Sequence, residues 1–205
     1  MTAVKICGLS RVSDIEIVNN LSPDYIGFVF AKSRREVSDD LAIYLRARLS
    51  PSIKTVGVFV NEDIYRIVNL CQHHIIDLVQ LHGDEDFNYI NKLRSMIPNK
   101  IIKAIRVRNK QDVDNSLDIP CDYLLFDTYS LQEYGGSGKA FDWSLIDGIT
   151  RPYFMAGGLN CSNIEEAMDK YKPFGVDVSS GVETEGFKDP EKIRKFIMKV
   201  RSAKR

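Results

Sequence analysis

The sequence predicts an α/β fold, a parallel eight-stranded closed sheet of the (β/α)8 TIM-barrel type. Three observations predict it. Short runs rich in β-branched and aromatic residues recur along the chain, segments with apolar residues at helical spacing lie between them, and no linker or low-complexity tract interrupts the series. The 205 residues suit one domain, 1–205, because such barrels have a lower size limit of about 200 residues. The alternative, an open doubly wound sheet, more often has about five or six strands.

In chain order, the first strand is Val4–Cys7, and Ser13-Asp14 then opens a helix. Strand two is Tyr25–Phe30, followed by a Ser38-Asp39-Asp40 start and the apolar positions Leu41, Ile43, Leu45 and Leu49. Thr55–Val60 leads through Asn61-Glu62-Asp63 to Ile64, Ile67, Val68 and Cys71, another helical stripe. Asp77–Leu81, Ile101–Val107, Tyr123–Asp127 and Tyr153–Ala156 are strands four to seven, and Ser162-Asn163 opens the helix after the last of these. Val176–Ser179 is strand eight, and Asp189-Pro190-Glu191 starts a final helix with Ile193, Phe196, Ile197 and Val200 on one side.

Composition narrows the function. The 28 basic residues balance 28 acidic ones, so no global field draws nucleic acid or an anionic membrane, and any anion site must be local. No apolar run reaches membrane-spanning length, and the N-terminus lacks a leader-like apolar stretch. The four cysteines, Cys7, Cys71, Cys121 and Cys161, are far apart and form no CxxC pair, which favours reduced thiols, a cytoplasmic setting and no structural zinc.

Barrel strands point alternate side chains inward, and chemistry gathers at their C-terminal ends. That alternation puts Lys5 with Cys7, Gln80 with His82, Leu125 with Asp127, and Asp177 with Ser179 on the inner face. Buried polar groups cost several kcal/mol unless paired, and an active site accounts for their concentration. Cys7 is a candidate base or nucleophile whose pKa a positive neighbour such as Lys5 would lower. Asp127 is a candidate general acid if burial raises its pKa. Gly157-Gly158 after strand seven and Ser179-Ser180-Gly181 after strand eight stand where barrels bind phosphate through backbone N–H groups. His82 is a further site candidate, whereas His73 and His74 fit a solvated helix end and Cys71 and Cys121 fit inert packing. A guanidinium in Ser33-Arg34-Arg35 could clamp a carboxylate in a fork. Gly135-Gly136-Ser137-Gly138-Lys139-Ala140 is not a nucleotide loop, because GxxxxGK[ST] needs Gly at Glu133 and a hydroxyl at Ala140; a substrate-covering loop is expected there. No His and carboxylate arrangement suits a metal.

Taken together, Lys5-Ile6-Cys7-Gly8-Leu9, Gly57-Val58-Phe59-Val60-Asn61, Val79-Gln80-Leu81-His82-Gly83, Phe126-Asp127-Thr128, Gly135–Gly138 with Phe141-Asp142-Trp143, Ala156–Leu159 and Val176–Glu183 resemble the phosphoribosylanthranilate isomerase family of tryptophan biosynthesis. The motifs occur in order over nearly the whole chain. The resemblance implies an Amadori rearrangement of a phosphorylated aminoaldose to an aminoketose, without cofactor or metal. Asp127 would protonate the furanose oxygen and Cys7 would remove the C2′ proton. Arg35 would bind the anthranilate carboxylate, His82 and Asp177 would line the sugar site, and Gly157, Gly158, Ser179, Ser180 and Gly181 would hold the phosphate. The family often has Pro where Arg34 stands and an aromatic where Glu36 stands, so Arg34 competes with Arg35 for the clamp, with Arg35 favoured by alignment. Cys161 replaces a usual Pro.

Other phosphosugar barrels are the rivals. The histidine-pathway isomerase ends strand one with Asp rather than Cys7, and pentose-phosphate epimerases need metal-binding His and Asp residues not found here. A silent phosphometabolite-binding barrel would have no reason to keep both Cys7 and Asp127. The implied partner is a small phosphorylated substrate, with no nucleic acid and no membrane, and the chain is expected to act as a monomer or homodimer.

Overall fold

Period-two alternation sorts the strand side chains into two separate apolar clusters, as a closed sheet requires. In the computed structural model, which describes residues 1–128 and 141–203, Val4, Ile6, Val79, Leu81, Leu124, Phe126, Val176 and Val178 pack outward against the helices. Val56, Leu78, Ile102, Ala104, Leu125, Phe154 and Ala156 fill the inside. The eight strands are β1 (Ala3–Cys7), β2 (Tyr25–Val29), β3 (Lys54–Phe59), β4 (Leu78–Leu81), β5 (Lys100–Val107), β6 (Tyr123–Thr128), β7 (Tyr153–Met155) and β8 (Gly175–Val178). They pair in parallel in that order and close β8 onto β1. The expected barrel is the observed one. An aromatic floor seals its lower end, where the Phe154 ring meets Tyr25, Tyr123 and Phe174 edge-on at centroid distances of 5.7, 5.7 and 5.4 Å.

The outer layer holds α1 (Val12–Leu21), α2 (Asp39–Arg46), α3 (Ile64–Gln72), α4 (Phe87–Met96), α5 (Lys110–Asp114), α6 (Ile164–Tyr171) and α7 (Pro190–Ser202). Ser38, Asp63 and Asp189 cap α2, α3 and α7 through their side chains, as their sequences suggest; such a cap contributes about 1 kcal/mol. Helix α1 begins earlier than its Ser13-Asp14 signal. Arg11 takes the cap position and the Asp14 carboxylate reaches back to the N–H groups of Ser10 and Arg11. The outer layer thins after β5, where α5 is five residues long, and before β7, where a 3-10 turn at Trp143–Ile146 stands in for an α-helix among the described residues.

Beyond β8 the chain adds a two-stranded ribbon, β9 (Glu183–Thr184) and β10 (Phe187–Lys188). Its turn places Glu185 and Gly186 at φ of 51° and 83°. The ribbon lies over the mouth of the barrel on the β1 and β8 side, and this sets up the site.

Candidate functional site

Cys7 closes β1 and is 8% exposed. Register places it opposite Gly27 of β2, while Lys5, on the same face, lies opposite Asp177 of β8. The fully buried Lys5 ammonium donates to Asp177 Oδ1 at 2.9 Å. A Cβ on Gly27 would sit 2.6 Å from Cys7 Sγ and 3.2 Å from Lys5 Nζ, so glycine there leaves the sulfur and the ammonium room to approach each other. Burial pushes the Cys7 thiol up; Lys5 and Lys188 pull it down and Asp177 pushes it further up. The expected positive neighbour is present, yet burial outweighs it. Burial also works against the Lys5 charge, but Asp177 and then Cys7 prevail, and its pKa is raised.

Asp127, 7% exposed, lies on β6, separated from β1 by β7 and β8. Its Oδ1 accepts the Thr128 N–H at 2.7 Å, and its Oδ2 is 3.3 Å from His82 Nε2, within ion-pair range but misaligned for a hydrogen bond. His82 follows β4. Gln80, buried on the same face, has its side-chain amide Nε2 at 2.8 Å from His82 Nδ1, and the other ring nitrogen, Nε2, lies on the Asp127 side. Alternation had placed Gln80 inside the barrel without giving it a task.

The loops after β7 and β8 lie between these two groups. Gly157 and Gly158 adopt φ of 77° and 72°, the region glycine favours. A Cβ on Gly157 would meet Thr128 Oγ1 at 2.5 Å and Asp127 Oδ1 at 3.2 Å, so this loop runs directly past the carboxyl. The Asn160 and Asn163 side chains both donate to the Gly158 carbonyl, at 3.1 and 2.9 Å, and fix the loop's course. Ser179 Oγ donates to the Cys7 carbonyl at 3.0 Å, and Ser180–Val182 form a 3-10 turn. Gly181 is pressed against the Leu159 carbonyl, which joins the two loops. Gly157, Gly158, Ser179, Ser180 and Gly181 therefore form one continuous rim.

Arg34 and Arg35 both reach Glu183 on the ribbon. Arg35 packs its stem over Gly8 and grips the carboxylate through Nε at 2.8 Å and Nη2 at 2.9 Å, its side chain 16% exposed. The Arg34 side chain is 56% exposed and bonds Glu183 Oε2 and the Gly186 carbonyl from outside. Arg35 is thus the arginine at the mouth. Buried Lys188 donates to the same Glu183 at 2.6 Å and to the Ser179 carbonyl at 3.1 Å. Burial opposes the Glu183 charge, but Arg35 and Lys188 hold its pKa at about 2. No local pattern assigns a role to Glu183 or Lys188. Glu183 stood in a recognised run, but Lys188 left no signal.

His73 and His74 are exposed at the end of α3, and Cys71 and Cys121 are buried as expected. Burial pushes the Cys71 thiol up to about 12. Among the described residues there is no cluster of metal-ligating groups and no helix long and apolar enough to cross a membrane. The expected substrate-covering loop at Gly135–Ala140 lies outside the described residues.

The family model of N-(5'-phosphoribosyl)anthranilate (PRA) isomerase matches residues 4–199. The chain is 50% identical to the N-(5'-phosphoribosyl)anthranilate isomerase of Endomicrobium trichonymphae over 98% of this chain and 100% of that protein. It is similar to the phosphoribosyl anthranilate isomerase structure from Thermotoga maritima, with a TM-score of 0.89, 38% identity and coverage of 98% and 99% of the two chains. It is also similar to a phosphoribosyl anthranilate isomerase solved in complex with reduced 1-(o-carboxyphenylamino)-1-deoxyribulose 5-phosphate, with a TM-score of 0.85, 37% identity and coverage of 98% and 99%.

Proposed function

The chain belongs to the N-(5'-phosphoribosyl)anthranilate isomerase family, and from that premise we propose that its barrel mouth performs the Amadori rearrangement of tryptophan biosynthesis with Asp127 as acid and Cys7 as base. The observation that carries this reading is the order around the ring: Cys7 on β1, Asp127 on β6, and between them the glycine-rich loops of β7 and β8. A phosphate anchored on Gly157, Gly158, Ser179, Ser180 and Gly181 sets the pentose between a donor and an acceptor. Arg35, aimed by its fork to Glu183, takes the anthranilate carboxylate, and His82 and Asp177 line the sugar.

Asp127 gives its proton to the furanose ring oxygen as the C1′–O bond breaks, and the nitrogen lone pair forms the iminium. The Cys7 thiolate then takes the C2′ proton, and the C–H electrons form the C1′–C2′ double bond while the iminium π electrons return to nitrogen. The resulting enolamine tautomerises to the ketone. The iminium makes C2′ acidic, so a sulfur of modest basicity suffices, and each proton-transfer group contributes about 10²- to 10⁴-fold. His82, held by Gln80, lies beside the acid.

The reaction needs neither cofactor nor metal. The phosphorylated substrate is the partner this site addresses. We place the chain in the cytoplasm as a monomer or homodimer, in keeping with its four free cysteines and with the dimeric form of the Thermotoga maritima relative. Turnover of phosphoribosylanthranilate by the purified chain, with the histidine-pathway aminoaldose run beside it, tests the assignment. No turnover of the former overturns it.

A further inference from the structure

A lysine with no solvent exposure inside a barrel needs a strong reason, because an unpaired buried ammonium costs several kcal/mol. Its salt bridge to Asp177 supplies part of one. It leaves unexplained why the ammonium, which has three donor positions, also lies against the sulfur two residues along its own strand. It also leaves unexplained why the opposing strand has glycine where any side chain would strike the sulfur and crowd the ammonium. Register makes the arrangement unavoidable: Asp177 is lateral to Lys5 on β8, Cys7 is next on the same inner face, and Gly27 is lateral to Cys7 on β2.

We infer that Lys5 is a positioning residue whose buried ammonium, bonded to the Asp177 carboxylate and set beside the Cys7 sulfur over Gly27, eases ionisation of that sulfur to the thiolate that abstracts the proton. Asp177 is its counterweight: the more tightly it holds Lys5, the less of the positive charge serves the sulfur. A sugar hydroxyl donating to Asp177 relaxes that hold, which couples substrate arrival to ionisation of the base.

The other charged groups around Cys7 do not replace this one. Lys188 comes from β10, but its ammonium is bound to Glu183 and to Ser179, which itself contacts the Cys7 carbonyl rather than the sulfur. Arg35 is engaged by that same Glu183. His82 and Asp127 are on β4 and β6, across the mouth. Burial raises the thiol's pKa, and Lys5 is the largest influence in the opposite direction.

This inference rests on Cys7 being the base, but its test reads ionisation rather than turnover. The pH titration of far-ultraviolet thiolate absorbance, taken as a difference against Cys7→Ser, isolates this sulfur. Lys5→Met moves the midpoint up by about one pH unit or more. Asp177→Asn moves it down, because the thiolate becomes the counter-ion of Lys5. The acid limb of kcat/KM follows each shift. A salt bridge that braces the barrel without acting on the sulfur would leave both midpoints where they are. An unchanged midpoint in both, or a downward shift in Lys5→Met, overturns the inference. If Lys5→Met does not fold, Asp177→Asn decides: a lower midpoint supports the inference and an unchanged or higher one overturns it. Full turnover by Cys7→Ser would instead remove the base assignment and leave the midpoints untouched.

Discussion

Arg35 holds Glu183 in a two-point fork, Nε and Nη2 on the two carboxylate oxygens at 2.8 and 2.9 Å. The arginine proposed to receive the substrate's carboxylate is already aimed by a carboxylate of the protein. Bidentate geometry is what arginine offers and lysine does not.

Arg35→Lys therefore keeps the charge and loses the fork. Hydrogen bonds to charged groups are worth about 1.5–3 kcal/mol, so KM should rise roughly ten- to hundred-fold with a smaller change in kcat. Exposed Arg34 contributes as a surface pair does, about 0–1 kcal/mol, and Arg34→Met should change KM by less than about five-fold. Steady-state kinetics of the two variants settles which arginine is the clamp, and equal losses would reject the assignment to Arg35.

Glu183 also gives a pH signature. Its pKa is lowered from an ordinary 4.5 to about 2, so the folded state favours the carboxylate more than the unfolded chain does. That stability is present above pH 4.5 and is lost as pH falls toward 2. Urea denaturation of wild type across this window should show a steeper fall in stability than Glu183→Gln. Parallel curves would show that Glu183 does not carry the linkage.

Lys103 and Glu85 form a buried pair at 2.8 Å behind the end of β4, and Glu85 also accepts the N–H groups of Asn61 and Gly83. Lys103→Met would leave a buried carboxylate without its cation. The cost should be about 3–5 kcal/mol in unfolding free energy, with KM little changed because the pair faces the helix layer. A loss below about 1 kcal/mol would place Glu85 in contact with water.

Gly181→Ala should act on the phosphate. The added methyl would be driven into the Leu159 carbonyl, and neither backbone can yield without separating the β7 and β8 loops. Overpacking of this kind costs about 1–3 kcal/mol, and we expect it as a raised KM. Inhibition by inorganic phosphate should weaken in parallel. An unchanged KM would show that these loops do not grip the phosphate.

The barrel was legible in the sequence because in β1, β4, β6 and β8 one face carries Val, Ile, Leu and Phe while the other brings in Lys5, Cys7, Gln80, Asp127 and Asp177 beside Leu78 and Leu125. Only one face of each strand meets the helices. Strand ends shifted by a residue where a polar group had other work. Asp77 lies before β4 because its carboxylate accepts from the Thr55 N–H and hydroxyl. Cys7 and Asp127 were legible as strand-end residues. The Glu183–Lys188 ribbon was not, since its Glu185-Gly186 turn lacks the Asn-Gly or Asp-Gly signal. The partner that gives it meaning, Arg35, lies 148 residues away in sequence. The tie between His82 and Asp127 likewise joins strands that no local pattern connects.

The most direct measurement is turnover of phosphoribosylanthranilate by Cys7→Ser, followed as loss of anthranilate fluorescence. A hydroxyl in place of the thiol keeps the shape and removes the accessible anion. The account predicts that kcat drops by at least about 10²- to 10⁴-fold while substrate affinity stays near that of wild type. Turnover at the wild-type rate would contradict it.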